Sequence, residues 1–307
     1  MSQPQSVIIP LPNPAALYQV LRVGNRAANG RAVARIAAGL PALTAEVGAI
    51  DPGAELVSAV GIGAELWDAI SPNKRPRLLR PFKAISAGGR SAPATGGDLF
   101  FHIVSRRGDL NFELAMRLRR QLGAMVEVMD EVHGFAYLDS RDLTGFIDGT
   151  ENPHNAEDRS AAALIGREDP SFAGGSYVLT QRYVHDLDKW RALSDREQES
   201  IIGRRKADSE ELAEDVKPPT AHIARVVIVE NGEELQIVRN SAPYGTTSEM
   251  GLFFAAYCKT PEIPERMLSR MIGASGDGLH DRLMEFTCAV TGASFFVPSL
   301  DTLRELG

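Results

Sequence analysis

Twice along this chain a β-rich run passes through a helical pattern into further β-rich runs, and that doubling limits the fold more than any other feature. In the first series, residues 56–62 read as a strand that turns into a helix. "GGDLFFHIVSR" (96–106) has the dense apolar and aromatic character of a buried strand. "DLNFELAMRLRRQLG" follows as an amphipathic helix, with Asp109 expected as its N-cap and Gly123 closing it. "VEVMDEVHGFAYLDS" then returns to strand. An earlier helix is expected over "RAVARIAAGLPALTAEVG", with Pro41 complicating its middle.

The second series repeats the plan. "SYVLTQRYVHDLDKWRAL" gives a strand, a break at Asp186 and the start of a helix, and "SDREQESIIGRRK" stays helical up to Gly203. "HIARVVIVENGEELQIVRN" reads as a β-hairpin about Asn231-Gly232, a pair suited to the tight primed turns of hairpins. "GLFFAAYCKT" is another buried strand, and "PEIPERMLSRMIG" a helix begun by proline and ended by glycine. The pattern predicts an α+β protein of two related halves, residues 1–145 and 146–307, each a sheet with helices on one face. At 307 residues, with 44% hydrophobic residues, the chain is long and apolar enough to bury such a core.

Charge and cysteine content narrow the function. A net charge of −7 argues against nucleic acid or an anionic membrane as partner. Cys258 and Cys288 are the only cysteines, which fits a reducing compartment without a disulfide framework. The first residues, "MSQPQSVIIPLPNP", carry no signal pattern, and no run approaches the roughly 20 apolar residues that span a bilayer, so a cytoplasmic protein is expected. The six histidines form no metal-ligand motif, and no nucleophile elbow, Walker loop or dinucleotide fingerprint occurs.

The junction between the halves holds "LTGFIDGTENP" (143–153), where Asp148 stands between Gly145 and Gly149. Asp-Gly and Asn-Pro are turn dipeptides, so local rules read a turn. Other polar residues lie in apolar settings: His222 before "IARVVIV", Arg239 after "LQIV" with Ser241 two residues on, and Glu285 within "LMEFTCAV", a run apolar enough to bury it. Taken singly, each has an ordinary structural explanation.

Taken together they resemble a family. "GFIDGTENP" resembles the G-x-x-D-G signature of the dye-decolourising haem peroxidases. In the same order, "IGRRK" (202–206) resembles the segment before that family's proximal histidine and "AHIARV" the segment carrying it. "IVRNSAPYG" (237–245) resembles the distal-arginine segment, and "AVTGASFFVPS" (289–299) the C-terminal strand region. The likeness spans nearly the whole chain and is greatest to the bacterial B-type group.

The resemblance implies two ferredoxin-like halves with antiparallel sheets and peripheral helices, as in a dimeric α+β barrel, and one haem b per chain. It implies His222 as the axial ligand, Glu285 as the carboxylate behind it, and Asp148, Arg239 and Ser241 as the residues that act on hydrogen peroxide. Ser241 stands where B-type members often have asparagine, which implies a wetter distal pocket. Arg204, or Arg205 if the register differs, would bind a haem propionate, and Gly145 and Gly149 would let backbone lie against the porphyrin. His154 at the pocket edge reads better as a solvent-exposed loop residue. Trp67, Trp190, Tyr183 and Tyr244 are candidates for electron exit to bulky donors.

The implied activity is peroxide reduction coupled to oxidation of a small-molecule electron donor: a dye, a phenol or a porphyrin-type compound. A haem-handling protein with incidental peroxidase activity is the alternative. A homo-oligomer is expected, and the C-terminal "LDTLRELG" does not resemble an encapsulation tail.

Overall fold

A computed structural model describes residues 2–307. The first half runs β1 (Ala15–Val23), α1 (Arg26–Ala38), α2 (Leu40–Gly48), β2 (Val57–Ile62), α3 (Ala64–Ile70), a small hairpin β3 (Ile85–Ala87) and β4 (Arg90–Ala92), β5 (Leu99–Ser105), α4 (Gly108–Leu122) and β6 (Val126–Phe135). The second runs α5 (Ala156–Ala163), β7 (Ser176–His185), α6 (Leu187–Arg191), α7 (Asp195–Ile202), α8 (His222–Val226), β8 (Val229–Glu230), β9 (Glu233–Glu234), β10 (Val238–Arg239), β11 (Ala242–Gly245), β12 (Met250–Cys258), α9 (Glu262–Ile272), β13 (Thr287–Ala289), β14 (Ala293–Val297) and α10 (Leu300–Leu306).

The larger strands form one antiparallel ring. Its order β12-β11-β6-β1-β5-β2-β14-β7 closes because β7 also pairs with β12. Strands β6-β1-β5-β2 come from the first half and the rest from the second, and each set has the ferredoxin-like order. The two sets meet at narrow seams, Tyr244 opposite Gly134 and Phe296 opposite Ile62. The fold thus joins the two related α+β halves that the doubled pattern called for into the barrel that the resemblance implied.

Strand periodicity explains where the core lies. Alternate residues of a strand face opposite sides. Tyr18 and Val20 of β1, Phe100 of β5, and Phe253 and Tyr257 of β12 fill the barrel, with the buried His102 of β5 stacked on Tyr18 among them. Their neighbours Leu17, Leu21, Phe101 and Ile103 pack outward against helices. Both faces are buried, which is why these strands read as nearly continuous apolar runs. Each large side chain so buried contributes about 1.5–3 kcal/mol.

Three local expectations are corrected. The helix α4 starts at Gly108 with Arg107 at the cap, and Asp109 lies in the first turn, bound to the Arg107 guanidinium. Gly39 separates α1 from α2, so Pro41 sits harmlessly in the first turn of α2. The Asn231-Gly232 turn forms, with φ of 54° and 83°, but its strands are two residues long, and the segment from His222 to Val226 is helical. That segment lies over the second half's sheet, where a helix satisfies its own backbone bonds without a partner strand.

Candidate functional site

On the outer face of the second half's sheet the core packing leaves a cavity. Leu179, Gln181, Tyr183 and His185 of β7 and Leu252 and Phe254 of β12 form the floor of a pocket. Helix α8 and residues Met267, Leu268 and Met271 of α9 cover it, and the loop around Asp148 supplies a further wall. The atom-free space is about 1410 Å³, its mouth included.

Asp148 sits in a backbone-bonded turn, as its neighbours dictate. Its N–H donates to the Ser140 carbonyl at 3.0 Å, and its own Oδ1 accepts the Gly149 N–H at 2.7 Å. Gly145 and Gly149 have φ of 90° and 79°, which favours glycine at both positions. Only Gly149 lines the pocket. A Cβ at Gly145 would meet the Lys206 side chain, so its role is the turn, and the expectation that it lies against a ligand is corrected.

Arg239 and Ser241 reach the pocket from a break in one strand. β10 and β11 pair with the same edge of β12, and Asn240 and Ser241 interrupt them. Asn152 brackets Arg239: its Oδ1 accepts the Arg239 N–H at 2.8 Å and its Nδ2 donates to the Arg239 carbonyl at 2.7 Å. The turn segment is thereby tied to the arginine strand. Asn240 is held in turn by the buried Arg159, whose Nη2 donates to Asn240 Oδ1 at 2.8 Å.

His222 opens α8 and also faces the pocket. Its Nδ1 lies 2.6 Å from Asp281 Oδ2, and Asp281 is 0% exposed. The other Asp281 oxygen accepts the Leu283 N–H at 2.8 Å. A carboxylate oxygen accepts, so Nδ1 carries a hydrogen, and in the neutral ring that leaves the Nε2 lone pair for a ligand. The expectation for Glu285 is therefore corrected. Its side chain is 37% exposed and pairs with His280 at 3.2 Å. The short 3-10 turn from Arg282 to Glu285 points Asp281, its N-cap, inward and Glu285 outward.

Arg204 lines the pocket, whereas Arg205 is exposed and binds Asp208 and Glu210. Arg204 pairs with Glu151 and donates to the Ser209 carbonyl at 2.6 Å, but its buried Nε has no partner. His154 is exposed. Trp67, Trp190, Tyr183 and Tyr244 are all buried, so none is a surface exit for electrons.

Sequence reasoning missed an acid–base pair at the pocket. Asp142 Oδ1 lies 3.5 Å from His185 Nε2, and His185 Nδ1 is 2.7 Å from Thr287 Oγ1. Burial acts to raise the Asp142 carboxyl, but the adjacent His185 ring and the Thr144 hydroxyl, which donates to Asp142 Oδ2 at 3.0 Å, outweigh it and hold the group below its ordinary value. Asp142 lies six residues before Asp148 with no motif around it. Asp281 has only the signal of a short acid capping a turn.

A large apolar pocket with one histidine whose Nε2 is free, a cation with an unpaired buried N–H, and a separate acid–arginine group suits a flat anionic macrocycle with a metal centre. Comparison with known proteins agrees. The family models described as Dyp-type peroxidase, N-terminal and C-terminal, match residues 5–136 and 139–302. The dye-decolorizing peroxidase of Mycolicibacterium paratuberculosis is 45% identical over 99% of this chain and 85% of its own length. The solved structure of DyPB from Rhodococcus jostii RHA1 matches with a TM-score of 0.95 at 43% identity, over 100% of both chains. A variant of that protein solved in complex with heme gives 0.95 at 43% identity over 99% of each chain.

Proposed function

The chain belongs to the Dyp-type peroxidase family, and we propose that it is a haem peroxidase that reduces hydrogen peroxide and oxidises a small aromatic or porphyrin-type donor. The His222–Asp281 contact, in one pocket with Asp148 and Arg239, carries this reading.

His222 would hold the haem through Nε2, with Asp281 fixing the ring and increasing the donor strength of the imidazole. Arg204 has an unpaired Nε for a propionate oxygen. Haem, when bound, supplies the redox iron at which peroxide is reduced. The chain's own residues manage protons and charge. The Asp148 carboxylate takes a proton from one peroxide oxygen and returns it to the other, which leaves as water. The Arg239 guanidinium stabilises the negative charge that develops as the O–O bond breaks. Asn152 keeps that guanidinium's backbone in place. Ser241 offers a single hydroxyl, which suits placing peroxide through water.

In this reading residues 146–307 supply the haem ligand and most of the pocket, and residues 1–145 complete the barrel and add Asp142 and Thr144 to the lining. No described helix is long and apolar enough to cross a membrane. The two cysteines, one buried and one exposed and neither bridged, support a cytoplasmic setting, and a homo-oligomer is the assembly we propose. A haem carrier would need only His222 and the pocket, and would leave the Asn152–Arg239 bracket without a task.

The test is peroxide-dependent dye oxidation by the haem-loaded protein. Arg239→Leu and Asp148→Ala should each lower the rate, by about 10²–10³-fold where charge stabilisation or proton transfer dominates. Undiminished rates in both variants would leave a carrier with incidental activity.

A further inference from the structure

Inside the barrel, on the far side of the sheet from the pocket, a phenol and an imidazole are paired. Tyr257 of β12 is 0% exposed and His102 of β5 is 1% exposed, and the Tyr257 hydroxyl is 2.8 Å from His102 Nδ1. Burial pushes His102 down to about 3 and the Tyr257 phenol well up, with Tyr18 adding to the latter. Near neutral pH the phenol therefore keeps its proton and the imidazole is uncharged; in the tautomer with hydrogen on Nε2, Nδ1 accepts the phenol O–H. Two apolar side chains would fill this space without burying polar groups, which itself costs free energy. Nothing in the peroxide chemistry above uses the pair.

Tyr18 connects it to the site. The Tyr18 ring stacks on His102, with centroids 4.7 Å apart and planes 24° from parallel. Its hydroxyl donates to the Asn240 carbonyl at 2.9 Å, and Asn240 lies between the two pocket residues Arg239 and Ser241. The Tyr18 phenol is raised chiefly by burial and also by the charge of Asp148.

We propose that Tyr257 and His102 form a proton-coupled oxidation site, reached through Tyr18, that takes one oxidising equivalent from the haem site when no external donor is bound. The inference rests on the peroxidase reading. Reduction of peroxide to two waters takes up two electrons and two protons; the protons come from solvent, one electron from the haem and the other from Tyr257. The Tyr257 O–H bond breaks, the electron leaves by way of Tyr18, and the proton crosses to His102 Nδ1. A neutral phenoxyl radical and an imidazolium remain, and an electron from a later donor reverses both transfers. An oxidised phenol is a far stronger acid than even a buried imidazolium, so the weak basicity of His102 does not block the step. It makes the radical costly, which suits a relay that gives its equivalent back.

The haem-loaded chain, labelled with ring-deuterated tyrosine, is mixed with one equivalent of peroxide without donor, frozen, and read by electron paramagnetic resonance. The expected result is a tyrosyl signal that narrows with the label and is lost in Tyr257→Phe. In the unmutated protein the phenoxyl oxygen should also show a coupling to one exchangeable proton that disappears in D2O. A tyrosyl signal unchanged by Tyr257→Phe, or one without that coupling, overturns the proposal. The haem absorption of the same samples separates the two ideas. A normal response to peroxide without a tyrosyl signal overturns the relay alone, and no response overturns the peroxidase reading with it.

Discussion

His222 Nδ1 and Asp281 Oδ2 lie 2.6 Å apart, joined across 59 positions of sequence. This contact sets which ring nitrogen is free and where it points, so Asp281 governs the ligand more than any other residue outside the pocket lining. Asp281→Asn keeps an acceptor but loses the charge. It should raise the midpoint potential of the bound iron and lower peroxidase activity about 10–100-fold. Glu285→Gln, on the surface, should leave both nearly unchanged. Potentiometric titration of the two variants decides this, and a shift in Glu285→Gln alone would reverse the assignment.

Asn152 holds Arg239 by its backbone, so its removal should disturb geometry without removing charge. Asn152→Ala is expected to lower kcat about 10²-fold by misplacing the guanidinium while haem affinity stays the same. Asn152→Asp can still accept from the Arg239 N–H but cannot donate to its carbonyl, and should fall between. Steady-state kinetics beside a haem titration checks the order.

Acid should destabilise the fold through His102. Its pKa falls from 6.5 to about 3 on burial, so between those values the unfolded chain binds a proton that the folded chain does not. The stabilisation from a neutral His102 is complete above pH 6.5 and is lost as pH falls toward 3, at up to about 1.4 kcal/mol per pH unit. Asp142, held below its ordinary value, acts in the same direction, and its stabilisation is lost only at lower pH. Urea denaturation at several pH values should show the slope, and His102→Leu should flatten it.

The two glycines beside Asp148 should separate. Both have positive φ, so alanine at either should cost about 1 kcal/mol or more of stability. A Cβ at Gly149 would sit 3.4 Å from Asn152 Nδ2, and Gly149→Ala should also reduce activity. Gly145→Ala presses on the flexible end of Lys206 and should cost stability alone. Thermal melts paired with activity measurements test this.

Periodicity and punctuation made much of the architecture legible. The runs of β5, β7 and β12 are apolar on both faces because the barrel buries both, and Gly123, Gly203 and Gly273 end their helices as read. Ring closure was not legible in the periodicity, since two narrow seams leave no local pattern, and was expected only through the family resemblance. At the site, Asp148, His222, Arg239, Ser241 and Arg204 were singled out through a family resemblance, and the fold brings them to one pocket. Glu285 misled because an apolar run was equated with burial, while the turn at Arg282–Glu285 carries that side chain outward. Asn152 stood inside "LTGFIDGTENP" but read only as a turn former, because its partner lies 87 residues away.

The central claim is that His222 and the Asp148–Arg239 group serve one peroxide-cleaving haem, and absorption spectroscopy reaches it most directly. The chain loaded with haem should show a strong Soret band that shifts within the mixing time when one equivalent of hydrogen peroxide is added. His222→Ala should lose or weaken the band, and Arg239→Leu should keep it while slowing the shift. A Soret band unaltered in His222→Ala, or no shift with peroxide in the unmutated protein, would contradict the account.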